Sequence, residues 1–367
     1  MSGFGGLNGS YTLHPGQVLS ITGHRLVLGQ GLPARLLLGQ SGEQVERTLA
    51  ALFTLCSHAH RRAARMALNA ARLPDQTALP EPSDQWRTLE TARDHLRSMA
   101  LDWPRQLALL SQSSHKTQAP NLPLAEDSIA LHAIDSGLLN WLKACPLPLI
   151  QPAQALTEAQ TQEAQMALRT WLKEHVLLEP LEDWLAQHRA PEALAHWCQS
   201  RAADLAQDIA TQAGFAQFPT WKGQCRETGP WTRLRHRESA TNAQGNAAPS
   251  IWTRLSSRWM ELMELVFLAT QRTGNAALAS GALNLAPGQA IAWVEMARGL
   301  LLHWVQLDEH GKVADYRVIA PTEWNFHPDG ALARAVSALP PDDTASAWVL
   351  AAAYDACVEC RVAVSST

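Results

Sequence analysis

Between Ser41 and Leu73, apolar residues recur every three to four positions, at Val45, Leu49, Leu52, Phe53, Cys56 and Ala63. That spacing puts them on one stripe of an α-helix, so the segment predicts a single continuous helix. Ser41 and Gln44 stand at capping-box spacing at its start. Cys56 falls on the apolar stripe, and His60 lies one turn later on the same side. The same period predicts helices over 85–101, 155–176, 181–189, 191–213 and 251–271. The last contains "WMELMELVFLAT" and is expected to be buried. The polar, turn-rich stretches 111–124 and 236–249 read as loops. After Pro287 the texture changes. "QAIAWVEMA", "GLLLHWVQLD" and "VADYRVIAP" are short and rich in strand formers, and "EHGK" (309–312) reads as a hairpin turn. "PTEWNFHPDG" then reads as a loop, and a final helix from 343 to about 354 delivers Cys357 just past its end. No internal repeat is visible. The pattern predicts one domain over 1–367, mainly α with a small β element near the C-terminus (α+β).

Composition narrows the function classes. The chain has 367 residues, 46% of them hydrophobic, enough for a substantial core. A net charge of −4 without a basic patch excludes a nucleic-acid footprint. No window approaches the roughly 18 apolar residues of a membrane span. The opening "MSGFGGLNGS" lacks the basic-then-apolar order of a secretory signal, so a cytoplasmic location is expected. Cysteines at 56, 145, 198, 225, 357 and 360 are scattered, which favours reduced thiols over a disulfide framework. Fourteen tryptophans against three tyrosines read as large core fillers.

The pair Cys357 and Cys360 admits several readings. Cys-x-x-C spacing can chelate one metal ion, because a turn points both sulfurs the same way. It can form a redox disulfide, although such pairs usually open a helix near a βαβ unit, and none precedes this one. Cys56 and His60 could complete a Cys₃His zinc set. Ordinary small buried side chains are the remaining reading.

The surrounding residues favour a metal. "EMARGLLLHWVQLDEHGKVADYRVIAPTEWNFHPDGA" followed by "DACVEC" resembles the large subunit of [NiFe] hydrogenases. That family has an E-x-x-R-G…H-W segment, a hairpin, P-[ST]-T-W-N, and a terminal D-P-C-x-x-C-x-x-H. "RETGPWTR" (226–233) is similar to its E-x-G-P-L-A-R stretch, and "LFTLCSHAHRRAA" to its R-x-C-G-x-C-x-x-x-H helix. The resemblance is strongest over 287–360 and implies a hydrogenase-large-subunit-like helical core with a β-hairpin region near the C-terminus.

In that family four thiolates hold nickel and iron. The second thiolate of each motif bridges the metals and the first binds nickel only. By resemblance, Cys56 and Cys360 fill the bridging positions and Cys357 one nickel-only position. Phe53 stands at the other, so no complete nickel site is expected. "SITGH" carries Thr22 where the family has an acid, and Ala363 replaces the terminal histidine, after which a protease cuts in the family. With four residues beyond Ala363, the chain is expected to escape that processing.

The pattern resembles the HupK/HoxV class of hydrogenase accessory proteins. The resemblance implies a maturation scaffold, not an enzyme, that binds or carries an Fe(CN)₂(CO) unit. It would pass the unit to the large-subunit precursor, with a HypC-type chaperone and the HypC–HypD complex as partners. Low-spin iron with cyanide and carbon monoxide suits thiolate ligands. Cyanide nitrogens need fixed donors, and by resemblance Arg298, with Pro321 and Thr322 of "APTEWN", sits where the family supplies them. Read without the resemblance, Arg298 would pair with Glu295 at the surface. His60 is either a partner of the Cys56 chemistry or a helix-face histidine. His58 and His303 read as structural or surface groups. Cys225 is either a substitute thiolate or an ordinary cysteine, and Glu323 stands where the family has threonine. The alternatives are a metal-free large-subunit mimic that recruits maturation chaperones, and a diverged hydrogenase with residual activity.

Overall fold

The computed structural model describes residues 9–24, 32–74, 78–80, 84–103, 106, 199–212, 214–233, single positions between 251 and 265, and 278–364. In chain order the elements are β1 (Ser10–Leu13), β2 (Ile21–His24), α1 (Leu32–Leu37), α2 (Glu43–Leu52), α3 (Ser57–Ala71), α4 (Asp84–Arg97) and α5 (Gln199–Thr211). Then come β3 (Ser280–Ala286), β4 (Gln289–Met296), β5 (Gly299–Leu307), β6 (Val313–Ile319), α6 (Pro321–Asn325), α7 (Ala331–Ser337), α8 (Thr344–Tyr354) and β7 (Glu359–Val362).

Strands β3 to β6 form a four-stranded antiparallel meander. Both faces are covered, which is why β4 and β5 read as near-continuous apolar runs. Ala290, Ala292, Val294 and Met296 of β4, with Leu301, Val305 and Leu307 of β5, pack against α3. The alternate residues Ile291, Trp293, Leu300, Leu302 and Trp304 pack against α5. A third core gathers β1, β2, α7 and α8 around Trp103, Trp259 and Phe326. The described positions between 251 and 265 are helical and buried, as their apolar spacing requires.

Several elements differ from the sequence reading. The β content is larger than one hairpin region. β1 pairs antiparallel with β2 and parallel with β7, so the two ends of the chain share a three-stranded sheet. These strands have four residues each, too few for alternation to show. The expected loop at 321–330 begins with the short helix α6. Its Glu323 reaches back to the Ala320 N–H at 3.0 Å, which gives that acid a structural role.

The expected helix from Ser41 is broken in two. α2 ends at Phe53, whose N–H donates to the Leu49 carbonyl, a 3₁₀ turn spans Thr54–Cys56, and α3 starts at Ser57. The Ser41–Gln44 capping box does not form, because Gly42 (φ 51°) is the N-cap and makes no side-chain bond. The expected helices at 155–176 and 181–189 lie outside the described residues, as do both expected loops. "EHGK" and the final helix stand as read, with Asp343 capping α8 through the Ser346 N–H.

Candidate metal-handling site

Cys56 owes its position to the break between α2 and α3. It is the N-cap of α3, with a backbone outside the helical region (φ −126°, ψ 37°). The cap comes from afar. Glu90 on α4 accepts the N–H groups of His58 and Ala59, each at 2.9 Å. A carboxylate at a helix N-terminus is favoured by the orphan donors and by the dipole. The acceptor of that cap is 31 residues from Ala59, so no local signal marks the break.

The C-terminal thiols arrive by a different route. α8 ends at Asp355, which adopts the left-handed conformation (φ 51°) and donates its N–H to the Ala351 carbonyl. The chain then bends through Cys357 and enters β7, where Cys360 pairs in register with Tyr11. Cys357 and Cys360 line a cavity of about 360 Å³ together with Leu55, Arg298, Trp348 and Asp355. The turn that carries Cys56 therefore meets the C-terminal segment across this space. The Thr322 hydroxyl lies 3.1 Å from the Cys357 sulfur. Burial pushes the Cys360 thiol up to about 12, with Glu359 adding to the shift and the Arg361 N–H opposing it.

Arg298 forms the charged wall. It is buried and paired with Asp94 (3.1 Å) and Asp355 (3.3 Å), so the surface pairing with Glu295 is not what forms. Glu295 instead accepts the Ala279 N–H. Asp355 also pairs with Arg258 at 2.8 Å and accepts from Ser98. Burial opposes the charges on Arg298 and Asp355, but their mutual attraction wins. The Arg298 pKa is raised, with Asp94, Cys357 and Cys56 also contributing, and the Asp355 carboxyl is held below the usual aspartate range. Sequence reading missed Asp94, Asp355 and Glu90, because each acts across a long sequence separation. The aspartate two residues before Cys357 was the one available hint.

His60 stands on the buried face of α3. It is fully buried, stacked on Phe53 at 3.9 Å, and within hydrogen-bond distance of His303. Phe53 thus places an aromatic ring against His60 at the position where the resemblance implies a missing thiolate. Cys225 does not line the cavity. It sits 3.2 Å from His327 Nδ1, and burial raises its pKa. Thr22 bonds to His14 at 2.8 Å. Pro321 opens α6 and is buried. Among the described residues, no three His, Cys, Asp or Glu side chains stand close enough together to hold a metal ion. The expected convergence of Cys56, Cys357 and Cys360, and the zinc set with His60, is therefore not formed. No described helix is long and apolar enough to cross a membrane.

Comparison with known proteins gives a consistent picture. Residues 239–337 match the nickel-dependent hydrogenase family. The hydrogenase expression/formation protein HoxV of Cupriavidus necator is 39% identical over 96% of this chain and 94% of its own length. HupK of Rhizobium leguminosarum bv. viciae, also a hydrogenase expression/formation protein, is 28% identical over 90% of this chain and 89% of its own. A [NiFeSe] hydrogenase variant from Desulfovibrio vulgaris Hildenborough shares the fold at a TM-score of 0.50, with 15% identity and 92% of each chain covered.

Proposed function

The chain belongs to the HoxV/HupK family of hydrogenase expression/formation proteins, and from that premise we propose that it is a scaffold that holds the Fe(CN)₂(CO) unit and passes it to the hydrogenase large-subunit precursor. The observation that carries this reading is the cavity where Cys357, Cys360 and the Arg298 wall meet the turn of Cys56, with Phe53 where a nickel-only thiolate would stand. The donor set suits a soft, thiolate-bound iron. Arg298 is fixed by two carboxylates and offers a charge-assisted donor to a cyanide nitrogen. Thr322 can donate to the Cys357 sulfur. Cys360, protonated at neutral pH, must release its proton when it binds iron, so loading is coupled to proton release. A site of few ligands keeps the cargo exchangeable. A HypC-type chaperone, alone or with HypD, is the proposed source of the unit.

The test is anaerobic purification from a strain that makes the maturation machinery, followed by iron and nickel analysis and infrared spectroscopy in the cyanide and carbon monoxide region. Iron without stoichiometric nickel, with bands in that region, is expected. Cys56→Ala and Cys360→Ala should each abolish it, whereas Cys357→Ala should retain most of it. Iron-free wild-type protein that still binds the chaperone would replace this reading with a metal-free mimic, and stoichiometric nickel would point to a hydrogenase.

A further inference from the structure

The cavity has a wall that the thiols and Arg298 do not account for. The helical path of α4 does not stop at Arg97. It runs on through a π-turn at Ser98–Asp102, closed by the Trp103 N–H on the Ser98 carbonyl. A hydrogen bond over five residues brings Trp103 beneath Ser98, where an α-helix would put Asp102. Wide turns of this kind recur at functional sites. The Ser98 hydroxyl donates to Asp355 at 3.2 Å, which ties the turn to the segment that leads into Cys357. Arg97, Asp102, Trp103 and Gln106 all line the cavity.

Several polar groups of this wall are uncommitted. Trp103 is fully buried, and among the described residues its Nε1–H meets no acceptor. Native structures rarely leave a buried donor in that state. Gln106 Oε1 is likewise buried and unmatched, and the amide can turn to present its Nε2–H₂ instead. Arg97 is half-buried, and among the described residues no carboxylate pairs with it. The acids on this side are occupied: Glu359 pairs with Arg361 at 2.8 Å, and Asp102 is engaged with other groups. Arg298, by contrast, already shares its charge with Asp94 and Asp355. A guanidinium without a counter-charge and a buried indole N–H, on consecutive turns of one helical segment, make a donor set that lacks an acceptor.

We propose that Arg97 and Trp103 form an anion subsite of this cavity, which takes a small anion with a terminal nitrogen or oxygen acceptor. The scaffold reading supplies a candidate for that anion. A cyanide on iron is a straight rod that carries its acceptor nitrogen away from the metal, so its donor stands on an element other than the one that carries the sulfur. Arg298 then serves one cyanide and the Arg97–Trp103 wall the other, while the Thr322 hydroxyl is engaged with Cys357. The cyanide assignment rests on the scaffold reading, and the subsite does not.

The experiment uses the full iron-free chain labelled with ¹⁵N-tryptophan, with the Trp103 indole signal identified by its loss in Trp103→Phe. Thiocyanate, a linear anion with a terminal nitrogen, is titrated in at constant ionic strength. The Trp103 indole signal should shift and saturate, and in Arg97→Gln the half-saturation point should rise at least about 10-fold. A Trp103 signal that stays in place or drifts without saturating, or an unchanged midpoint in Arg97→Gln, would overturn the subsite. Unmoved positions of the other indole signals show that each variant keeps its fold. In iron-loaded protein, Trp103→Phe should displace the cyanide stretching bands. Unmoved cyanide bands would overturn the cyanide assignment. Saturable thiocyanate binding in a protein that never holds iron would uphold the subsite and fault the scaffold reading.

Discussion

Arg298→Leu separates the architecture of the site from its chemistry. The substitution removes the guanidinium that Asp94 and Asp355 share, while Asp355 keeps Arg258 and Ser98. Taking one member out of a buried ion pair typically costs about 3–5 kcal/mol, because the remaining charge stays desolvated. The surviving Arg258 contact places the expected loss near the lower end, about 3 kcal/mol at pH 7. The pH dependence follows in sign. In the wild type the folded Asp355 pKa lies below the unfolded value of about 3.9. Its stabilisation is present above that value and lost as pH falls through the folded pKa. In the variant Asp355 keeps Arg258 but loses Arg298, its folded pKa rises, and protonation relieves part of the penalty. The gap between the two proteins should therefore narrow as pH falls from 7 to about 4. Urea unfolding at each pH, with unchanged slopes, measures it. A gap under about 1 kcal/mol at pH 7, or one independent of pH, would refute the clamp, since most exposed ion pairs are worth no more.

Glu90→Ala deletes the two bonds that cap α3, with an expected loss of about 2–3 kcal/mol and faster alkylation of Cys56, read by denaturation and by mass-resolved iodoacetamide labelling. A stability change within about 0.5 kcal/mol would show that the cap does not hold the break in place. Gly299→Ala puts a Cβ 2.6 Å from Thr228 Cγ2 and 2.9 Å from the Thr228 carbonyl carbon, at φ +132°. Backbone cannot yield as a side-chain tip can, so a loss of about 3 kcal/mol in the same urea assay is expected.

Much of the fold was legible because period and composition are local. The meander, the "EHGK" turn and α8 follow from alternation, turn formers and a cap within a few residues. What stayed hidden depends on distant partners. β1, β2 and β7 carry too few residues for a pattern, and β7 forms only because β1 is brought beside it. The break at Phe53–Cys56 keeps the helical apolar spacing on both sides, since α2 and α3 contribute to the same core. Periodicity cannot register it, and the Glu90 cap comes from the next long helix.

The site was legible to a different degree, because the residues carrying the family resemblance divide into two jobs. Asn325 of "PTEWN" accepts the Thr228 N–H and donates to the Thr228 carbonyl, both at 2.9 Å, which clamps "RETGP" to α6. Gly299 lets Thr228 approach, and the Thr228 hydroxyl accepts the Leu300 N–H at 3.0 Å. Glu227 ties Arg254 and the Trp231 indole to the same segment. These residues build the frame, and none of them needs a metal. Arg298, Asp355, Cys357 and Cys360 line the cavity instead, with Thr322 touching Cys357 and Leu55 of the Cys56 turn on the opposite wall. A chain can therefore keep the frame, and match the family across it, while its chemistry changes at very few positions. Phe53 is the instructive one. Its ring stacks on His60, which His303 and Tyr316 contact from behind, so the residue that stands where the resemblance implies a thiolate also packs against the histidine one turn from Cys56.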